Sequence, residues 1–420
     1  MANEVVETCE EIVKKIILNV MTALPIQPAL LIQIYYWGIF LFCLFMYFSY
    51  AGSNNCDKLL EKNSMVPSLF FTIVLIFFMG LRPVTFAFGD TINYAAGYAR
   101  ATGLAEWKID MDEEWLFNSI MLACKASGMT VSGWFFIIEI GYLGFILLAM
   151  KKLIGENPWM GMLFFLSAFS TFTFGTNGIR NGLACSIITF AFALAVNKNI
   201  AKMVIPGFIA ILAMGIHKSI ALPIAAFLAA SFVIKNPMIA IYFWVASIGI
   251  SLVAGGTVSN FFMGLGFDDR MTQYSNGMGE FGDQFTQTGF RWDFLLYSAM
   301  PVWMTWYVSR KAQKERALYG DTLEEAETGI TGAGRIADAD SMRIFNILAT
   351  TYILANSFWV MVIKAAFSNR FAYLSWFLYP VVLAYAVVRL HIWPDQDRKA
   401  ALILLAHAGF TLFMFILGKL

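Results

Sequence analysis

The chain has 420 residues, of which 59% are hydrophobic, 16% are aromatic and only 14% are charged, and its formal net charge is +1. Soluble domains carry about 25% charged residues, so this composition excludes an ordinary soluble protein and predicts a polytopic membrane protein. The net charge near zero gives no electrostatic reason to expect a nucleic acid as partner.

The first 27 residues predict a helix that lies along the membrane surface. Apolar residues recur every three to four positions from Val5 to Val20, and Pro25 follows. Glutamates precede the first lysine, whereas a secretory signal begins with a basic stretch, so no cleaved signal is expected. We therefore divide the chain into an amphipathic N-terminal segment, residues 1–27, and a single membrane domain, residues 28–420.

About twelve apolar runs have the length of a membrane-spanning helix, because a bilayer core about 30 Å thick needs about 20 helical residues. The sequence thus predicts an all-α, polytopic bundle. The sixth and seventh runs are separated only by His217, Lys218 and Ser219, and a re-entrant hairpin is the alternative for these two. The predicted runs are 28–50, 66–82, 132–150, 157–175, 178–197, 201–216, 219–235, 237–257, 291–309, 342–364, 371–388 and 400–418.

Lysine and arginine are concentrated in alternate loops between these runs. By the positive-inside rule these loops lie in the cytoplasm, which places both termini and two long loops, 83–131 and 258–290, outside. The long cytoplasmic segment 310–341 is acidic and rich in glycine, as expected of a solvated linker. The outer loops instead mix aromatic residues with acids and glycines, which suits the binding of sugar rings.

Four arginines depart from this charge distribution, because Arg82, Arg180, Arg291 and Arg370 each lie near the outer end of a predicted span. Arginine is costly at membrane depth unless it is paired or lines a wet cavity. Its planar guanidinium group also suits phosphate oxygens, so four such residues together indicate a site for a lipid-linked diphosphate. For any one of them, snorkelling to the headgroups or an ion pair with a nearby acid is the alternative.

Two residues in the outer regions are candidates for a general base. Asp90 follows Gly89 in the first long loop, where an Asp-Thr pair is alternatively a helix N-cap. His217 has a side chain whose ordinary pKa suits proton transfer near neutral pH, and a structural hydrogen bond is its alternative role. The candidates for contact with a glycan are Tyr94, Glu113, Tyr274 and Trp292.

Two further charges, Glu139 and Lys364, fall within predicted spans and are each expected to pair inside the bundle. In a secondary transporter of lipid-linked sugars, they would be the coupling charges. The absence of a visible internal repeat argues against a transporter built from inverted halves. The five cysteines form no C-x-x-C pair and have no histidine nearby, so we expect neither a disulfide framework nor a metal site.

In chain order, these motifs resemble those of the EpsG-like and Wzy-type bacterial polysaccharide polymerases, over roughly residues 30–390. The resemblance lies in the order of short motifs, and the family more often has a Glu-Pro pair where this chain has Glu113-Glu114. The motifs are Gly80-Leu81-Arg82, Gly89-Asp90-Thr91, Asn93-Tyr94, Glu113 to Asn118, Gly178 to Ala184, His217-Lys218-Ser219, Arg270 with Tyr274, Gly289 to Phe294 and Asn369-Arg370-Phe371.

The resemblance implies a GT-C-like glycosyltransferase bundle in the bacterial inner membrane, with a large periplasmic loop after the second helix. Its substrates would be a growing glycan on undecaprenyl diphosphate and a lipid-linked repeat unit whose terminal sugar is the acceptor. The family further implies catalysis without a metal or cofactor, contact with membrane lipids, and a chain-length regulator as partner. A ligase that transfers O-antigen to lipid A core is the alternative within the same enzyme class.

This reaction assigns roles to the candidate residues. Breaking the bond between sugar and phosphate leaves an anionic lipid diphosphate, while the attacking hydroxyl must lose a proton. The resemblance therefore places Arg180 and Arg370 at the diphosphate, with Arg82 and Arg291 as supporting cations. Asp90 and His217 remain alternatives for the base.

Overall fold

The computed structural model describes residues 23–52, 64–110, 113–155, 157–196, 203–264, 290–319, 338–364 and 369–418, and the regular structure in these ranges is helical. In chain order the helices are α1 (Pro28–Tyr50), α2 (Met65–Gly80), α3 (Thr91–Arg100), α4 (Trp115–Ala126), α5 (Val131–Ile154), α6 (Pro158–Leu166), α7 (Thr171–Thr176), α8 (Ile179–Ala195), α9 (Val204–Ile216), α10 (Ala221–Leu228), α11 (Pro237–Gly264), α12 (Trp292–Tyr319), α13 (Ala339–Met361), α14 (Asn369–Trp376), α15 (Tyr379–Arg389) and α16 (Gln396–Ile416).

Helix is found at the position of each predicted apolar run, and this confirms a polytopic, helical membrane protein. The fourth run is divided into α6 and α7, the eleventh into α14 and α15, and α10 continues into a π-helical turn. By length and composition, six described segments are long and apolar enough to cross a membrane, and the count of twelve spans stays a prediction. The six are Pro28–Tyr50, Val131–Ile154, Pro237–Gly255, Ala339–Met361, Phe371–Arg389 and Gln396–Ile416.

Two predicted loops are shorter than expected. Helix α11 continues to Gly264, with a kink at Ala254, and α12 continues to Tyr319. The remaining parts of the predicted loops, 265–289 and 320–337, lie outside the described residues, as do residues 1–22 of the predicted surface helix. In α12 the helix therefore extends into a polar segment, residues 310–319, that hydropathy alone assigns to a loop.

The centre of the bundle is formed by α5, α8, α13 and α15, whose side chains are mostly buried. Helix α5 packs against α2 and α8, and α13 packs against α10 and α11. Helices α1, α11 and α12 instead expose large apolar side chains such as Phe45, Val253 and Leu296. Exposed apolar faces of this kind are expected where a helix meets lipid tails rather than water.

The segment between α2 and α5 forms an ordered layer over one end of the bundle, where α2 and α9 end and α5 and α8 begin. We call this the site end. The ring of Tyr98 on α3 stacks on Trp134 of α5 with centroids 5.3 Å apart, and its hydroxyl donates to the Met129 carbonyl at 2.7 Å. Burial, followed by the nearby Cys124, raises the pKa of Tyr98 to about 12, so this hydroxyl remains a donor. These contacts fix α3 against the start of α5.

Candidate functional site

Three polar side chains from different helices meet at the site end. Glu114 precedes α4, Arg180 lies in the first turn of α8, and His217 follows α9. One carboxylate oxygen of Glu114 forms an ion pair with Nη1 of Arg180, and the other lies 2.8 Å from Nδ1 of His217. We call these three residues the Glu114 cluster. Their side chains are 19%, 19% and 24% exposed, so the cluster is partly desolvated and still accessible.

The close approach of α4 and α9 brings Glu114 next to His217. Gly215 lies in the last turn of α9, and a Cβ atom there would come within 2.8 Å of the Trp115 ring. A larger residue would push α4 away from α9. Because Glu114 immediately precedes Trp115, and His217 follows Gly215 by two residues, this contact sets the separation of carboxylate and imidazole.

The guanidinium group of Arg180 lies against an aromatic wall. Its Nε donates to the hydroxyl of Tyr94 at 3.3 Å, and its central carbon lies 5.6 Å from the Tyr94 ring and 5.8 Å from the Phe117 ring. Cations are attracted to aromatic faces, and the N-terminus of α8 adds partial positive charge in its first turn. The position is therefore favourable for an anion, and the carboxylate of Glu114 occupies part of it.

The hydrogen bond from Glu114 determines how His217 can act. With Nδ1 assigned as the donor to the carboxylate, a neutral imidazole carries its lone pair on Nε2. That nitrogen is the proton-accepting atom of the ring. A carboxylate behind the imidazole also stabilises the imidazolium ion that forms when a proton is taken up.

Of the four predicted arginines, Arg180 is the one whose described side chain belongs to this cluster. Arg82 lies behind it and is completely buried. Arg291 makes two hydrogen bonds to Asp293, at 2.9 and 2.7 Å, as expected for an arginine that forms an ion pair with a nearby acid. Arg370 lies in the first turn of α14, and its side chain is outside what the structure describes.

The second base candidate lies beside the cluster. Asp90 occupies the N-cap position of α3 but makes no side-chain capping hydrogen bond there. Its carboxylate accepts a hydrogen bond from Asn93 at 3.0 Å, and its amide donates to Asn177 at 2.8 Å. Asp90 is therefore tied to the chain that leads into α8, three residues before Arg180.

The predicted glycan contacts are dispersed. Tyr94 belongs to the wall around Arg180, whereas Glu113 is exposed and lies 3.5 Å from Nζ of Lys108. Trp292 is exposed at the start of α12 and packs on Phe290, with ring centroids 4.3 Å apart. Tyr274 lies outside the described residues.

Glu114 was not predicted as a site residue from the sequence, whereas its neighbour Glu113 was. Nothing in local spacing distinguishes Glu113 from Glu114, since both precede the same apolar turn. The difference arises from the approach of α8 and α9, which are distant in sequence. Within the described residues, no group of three or more His, Cys, Asp or Glu side chains is arranged to hold a metal ion.

The two charges that were predicted to lie within spans both contact partners. Glu139 on α5 lies 3.8 Å from Nη1 of Arg82. Lys364, just after α13, donates to the carbonyl of Leu252 at 3.2 Å, two residues before the kink of α11 at Ala254. A kink leaves carbonyl groups without their helical partners, and the lysine supplies a donor to one near the kink.

A family model described as the EpsG family matches residues 65–419, from the first residue of α2 to beyond the end of α16. The match therefore includes every residue of the Glu114 cluster. No curated protein and no solved structure matches the chain.

Proposed function

The chain belongs to the EpsG family of polysaccharide-polymerase-like membrane proteins, and from this membership and the Glu114 cluster we propose that it polymerises lipid-linked repeat units. In this proposal a growing glycan is transferred from undecaprenyl diphosphate to the terminal sugar of a lipid-linked repeat unit, at the periplasmic face of the inner membrane. The observation that carries the proposal is the contact of one carboxylate, Glu114, with both an anion-binding residue and a candidate base.

The reaction is a displacement at the anomeric carbon of the growing chain. The acceptor hydroxyl oxygen forms a new bond to that carbon, and the bond from carbon to the diphosphate oxygen breaks. The bonding electron pair leaves with undecaprenyl diphosphate, and the hydroxyl proton goes to the base. The enzyme must therefore stabilise negative charge at one end of the reacting centre and accept a proton at the other.

Arg180 is suited to the first task. Its guanidinium group presents planar donors, and it lies at the N-terminus of α8, where backbone amides and the helix dipole also favour an anion. In the structure Glu114 pairs with Arg180 and neutralises its charge. A diphosphate carries more charge than a carboxylate and would compete with Glu114 for the guanidinium group.

His217 is suited to the second task, and the geometry favours it over Asp90. Glu114 holds His217 through Nδ1, and in that tautomer Nε2 is the ring nitrogen that accepts a proton. The carboxylate of Asp90 instead accepts a hydrogen bond from the side-chain amide of Asn93. We therefore assign His217 as the base and Glu114 as the residue that orients it.

The first test is gel analysis of surface glycan from a strain lacking the gene and from strains complemented with the wild type, E114Q or R180A. Loss of the long ladder with survival of a single-repeat band supports a polymerase, and the two variants should reproduce that loss. Loss of all glycan, including the single repeat, would instead support ligation or transport. An unchanged ladder in the deletion strain would overturn the proposal.

A further inference from the structure

Arg82 connects three segments of the chain behind the Glu114 cluster. Its Nη1 donates to the Met79 carbonyl at 2.9 Å, at the end of α2. Its Nη2 donates to the Thr176 carbonyl at 3.1 Å, at the end of α7, and its Nε to the hydroxyl of Thr91 at 3.3 Å, at the start of α3. The Thr91 hydroxyl itself donates to Thr176 at 2.6 Å. We call Arg82, Thr91 and the Thr176 carbonyl the Arg82 bracket.

The bracket holds the two chain segments that carry Arg180 and Tyr94. Thr176 precedes Arg180 by four residues, separated by the turn into α8, and Thr91 precedes Tyr94 by three residues, one turn of α3. The two segments meet again where the amide of Asp90 donates to Asn177. Arg180 and Tyr94 are joined by a hydrogen bond of 3.3 Å and by the approach of the guanidinium carbon to within 5.6 Å of the Tyr94 ring centroid. The geometry of both contacts depends on what fixes these two segments from behind.

Glu139 compensates the charge of the bracket. Both Arg82 and Glu139 are excluded from solvent, and their closest atoms are 3.8 Å apart. Neither carboxylate oxygen of Glu139 has a hydrogen-bond partner in the described part of the chain. A buried charge without compensation is strongly destabilising, so a carboxylate at this distance serves as the counter-ion of the guanidinium group.

The helices around Glu139 leave room for it. A Cβ atom at Gly175 would lie 3.0 Å from Oε1 of Glu139, and one at Gly80 would lie 3.3 Å from its Cγ. Glycine at these positions of α7 and α2 lets both helices approach α5 around the carboxylate. The Arg82–Glu139 pair is therefore part of the packing of α2, α5 and α7, which is the framework on which the site end is built.

We infer that Arg82 is a positioning residue, which acts through Thr176 and Thr91 to place Arg180 and Tyr94, with Glu139 as its buried counter-ion. Complete burial separates Arg82 from the accessible side of the Glu114 cluster. The inference rests on the proposed function in one respect, that the residue being placed, Arg180, binds a diphosphate. The geometry of the bracket itself does not depend on that assignment.

The shape of the arginine side chain is required for this role. A guanidinium group is a rigid planar fork whose nitrogens can reach three acceptors in different directions. Lysine at position 82 would retain the charge opposite Glu139 but carries a single nitrogen. R82K therefore separates the positioning role from simple charge compensation. Thr91→Val removes both hydrogen bonds of the Thr91 hydroxyl, to Arg82 and to the Thr176 carbonyl, while leaving the ion pair intact.

The test has an arm that needs no ligand. Hydrogen exchange of the purified, unliganded protein in detergent is measured for peptides covering residues 88–96, 175–183 and α13, in wild type, R82K and Thr91→Val. We expect faster exchange in the first two peptides and unchanged exchange in α13. Asn356→Ala is the matched control, because Asn356 is buried and donates to Ser298 and Ser375, away from the bracket. Equal exchange at 88–96 and 175–183 in wild type and both bracket variants would overturn the inference.

The second arm is a double-mutant cycle on the binding of farnesyl diphosphate. If Arg82 acts through Arg180, R82K should weaken binding by roughly 10- to 100-fold in the wild-type background and by less than about twofold in the R180K background, because the coupled residue is already changed. Asn356→Ala should have the same effect in both backgrounds. If R82K weakens the binding of farnesyl diphosphate equally in both backgrounds, the inference is contradicted. The two arms can also give different answers. If the wild-type protein does not bind farnesyl diphosphate but the bracket variants still exchange faster, the diphosphate site is refuted and the bracket is supported.

Discussion

The carboxylate of Glu114 accepts a hydrogen bond from Nδ1 of His217 at 2.8 Å, across 103 positions of the chain. Its second oxygen pairs with Arg180, so a single side chain joins the candidate base to the candidate anion-binding residue. A diphosphate that binds Arg180 would release one oxygen of Glu114 and leave the carboxylate to His217. Substrate binding would thereby strengthen the base at the point when a proton must be removed.

Replacing Glu114 by glutamine should lower the rate of polymer formation by roughly 100-fold or more, because His217 then loses the charge that stabilises its protonated form. Glutamine has nearly the same size, so little change in protein level is expected. The rate is measured as incorporation of labelled repeat units into polymer by membrane vesicles.

Glu113→Gln is the control for this substitution. Glu113 is adjacent in sequence and exposed, and its carboxylate lies 3.5 Å from Lys108 and 3.4 Å from Asn118 rather than near the cluster. Ion pairs at exposed positions contribute little, so this variant should retain nearly full activity. Equal activity of the two variants, whether high or low, would count against the role of Glu114.

Replacing Arg180 by lysine should raise the apparent KM for the lipid-linked donor, and R180A should abolish polymer formation. Lysine keeps one positive charge but loses the planar fork and the hydrogen bond to Tyr94. Initial rates at increasing donor concentration separate KM from kcat. Arg100→Lys, at the exposed end of α3, is the matched control and should be neutral. Wild-type kinetics of R180A would remove Arg180 from the site.

The positions of the apolar helices were predictable because lipid imposes a minimum length on an apolar helix that crosses it. The first predicted run, 28–50, has the same limits as α1. The break between α6 and α7 was not predictable from hydropathy. There the Thr171 hydroxyl donates to the Phe165 carbonyl and Ser167 donates to Phe164 at 3.2 Å, so side chains satisfy backbone groups that a broken helix exposes.

The site was predictable only where a residue type is rare in its surroundings. Arg180 and His217 stand out at the ends of apolar runs, whereas Glu114 is one of several acids in the first long loop. The sequence also does not show whether a side chain at the end of a helix points into the bundle or towards solvent. Arg82 and Arg180 therefore appear equivalent as sequence positions, although one is completely buried and the other lies in an accessible cluster.

Replacing Asp338 by alanine should destabilise the protein by about 1 kcal/mol at neutral pH, because Asp338 caps α13. Its carboxylate accepts hydrogen bonds from the amide and hydroxyl of Ser341 at 2.8 and 2.7 Å. Partial desolvation would raise the pKa of Asp338, but these hydrogen bonds and the charge of Arg389 lower it overall. The measurement is the thermal unfolding temperature in detergent, with Asp340→Ala as a control in the same turn.

The sign of the pH dependence follows from the lowered pKa. A carboxyl group whose pKa is lower in the folded state stabilises it above the unfolded-state pKa, about 3.9, and loses this contribution as the pH falls through the folded-state pKa. The difference in unfolding temperature between wild type and Asp338→Ala should therefore be constant from pH 7 to about pH 5 and shrink below about pH 4. A difference that grows on acidification would contradict the capping role.

Replacing Gly89 by alanine should lower both the unfolding temperature and the rate of polymer formation. Gly89 has a φ angle of 55°, which L-residues rarely adopt, and a Cβ atom there would lie 2.5 Å from Oδ1 of Asn177, the acceptor for the Asp90 amide. The substitution should destabilise the protein by more than about 1 kcal/mol. It should also separate α3 from the turn that leads to Arg180, and so move Tyr94 away from the guanidinium group.

Gly97→Ala provides the opposite expectation on the same helix. Gly97 lies inside α3, and a Cβ atom there would meet nothing within 4 Å. Alanine is favoured over glycine in helix interiors by roughly 0.5–1 kcal/mol, so this variant should unfold at the same or a higher temperature and remain active. Activity could be lost in Gly89→Ala but kept in Gly97→Ala. That result would show that activity depends on the junction of α3 with the start of α8 and not on the stability of α3. Full activity of Gly89→Ala despite a lower unfolding temperature would show that the site tolerates displacement of this junction.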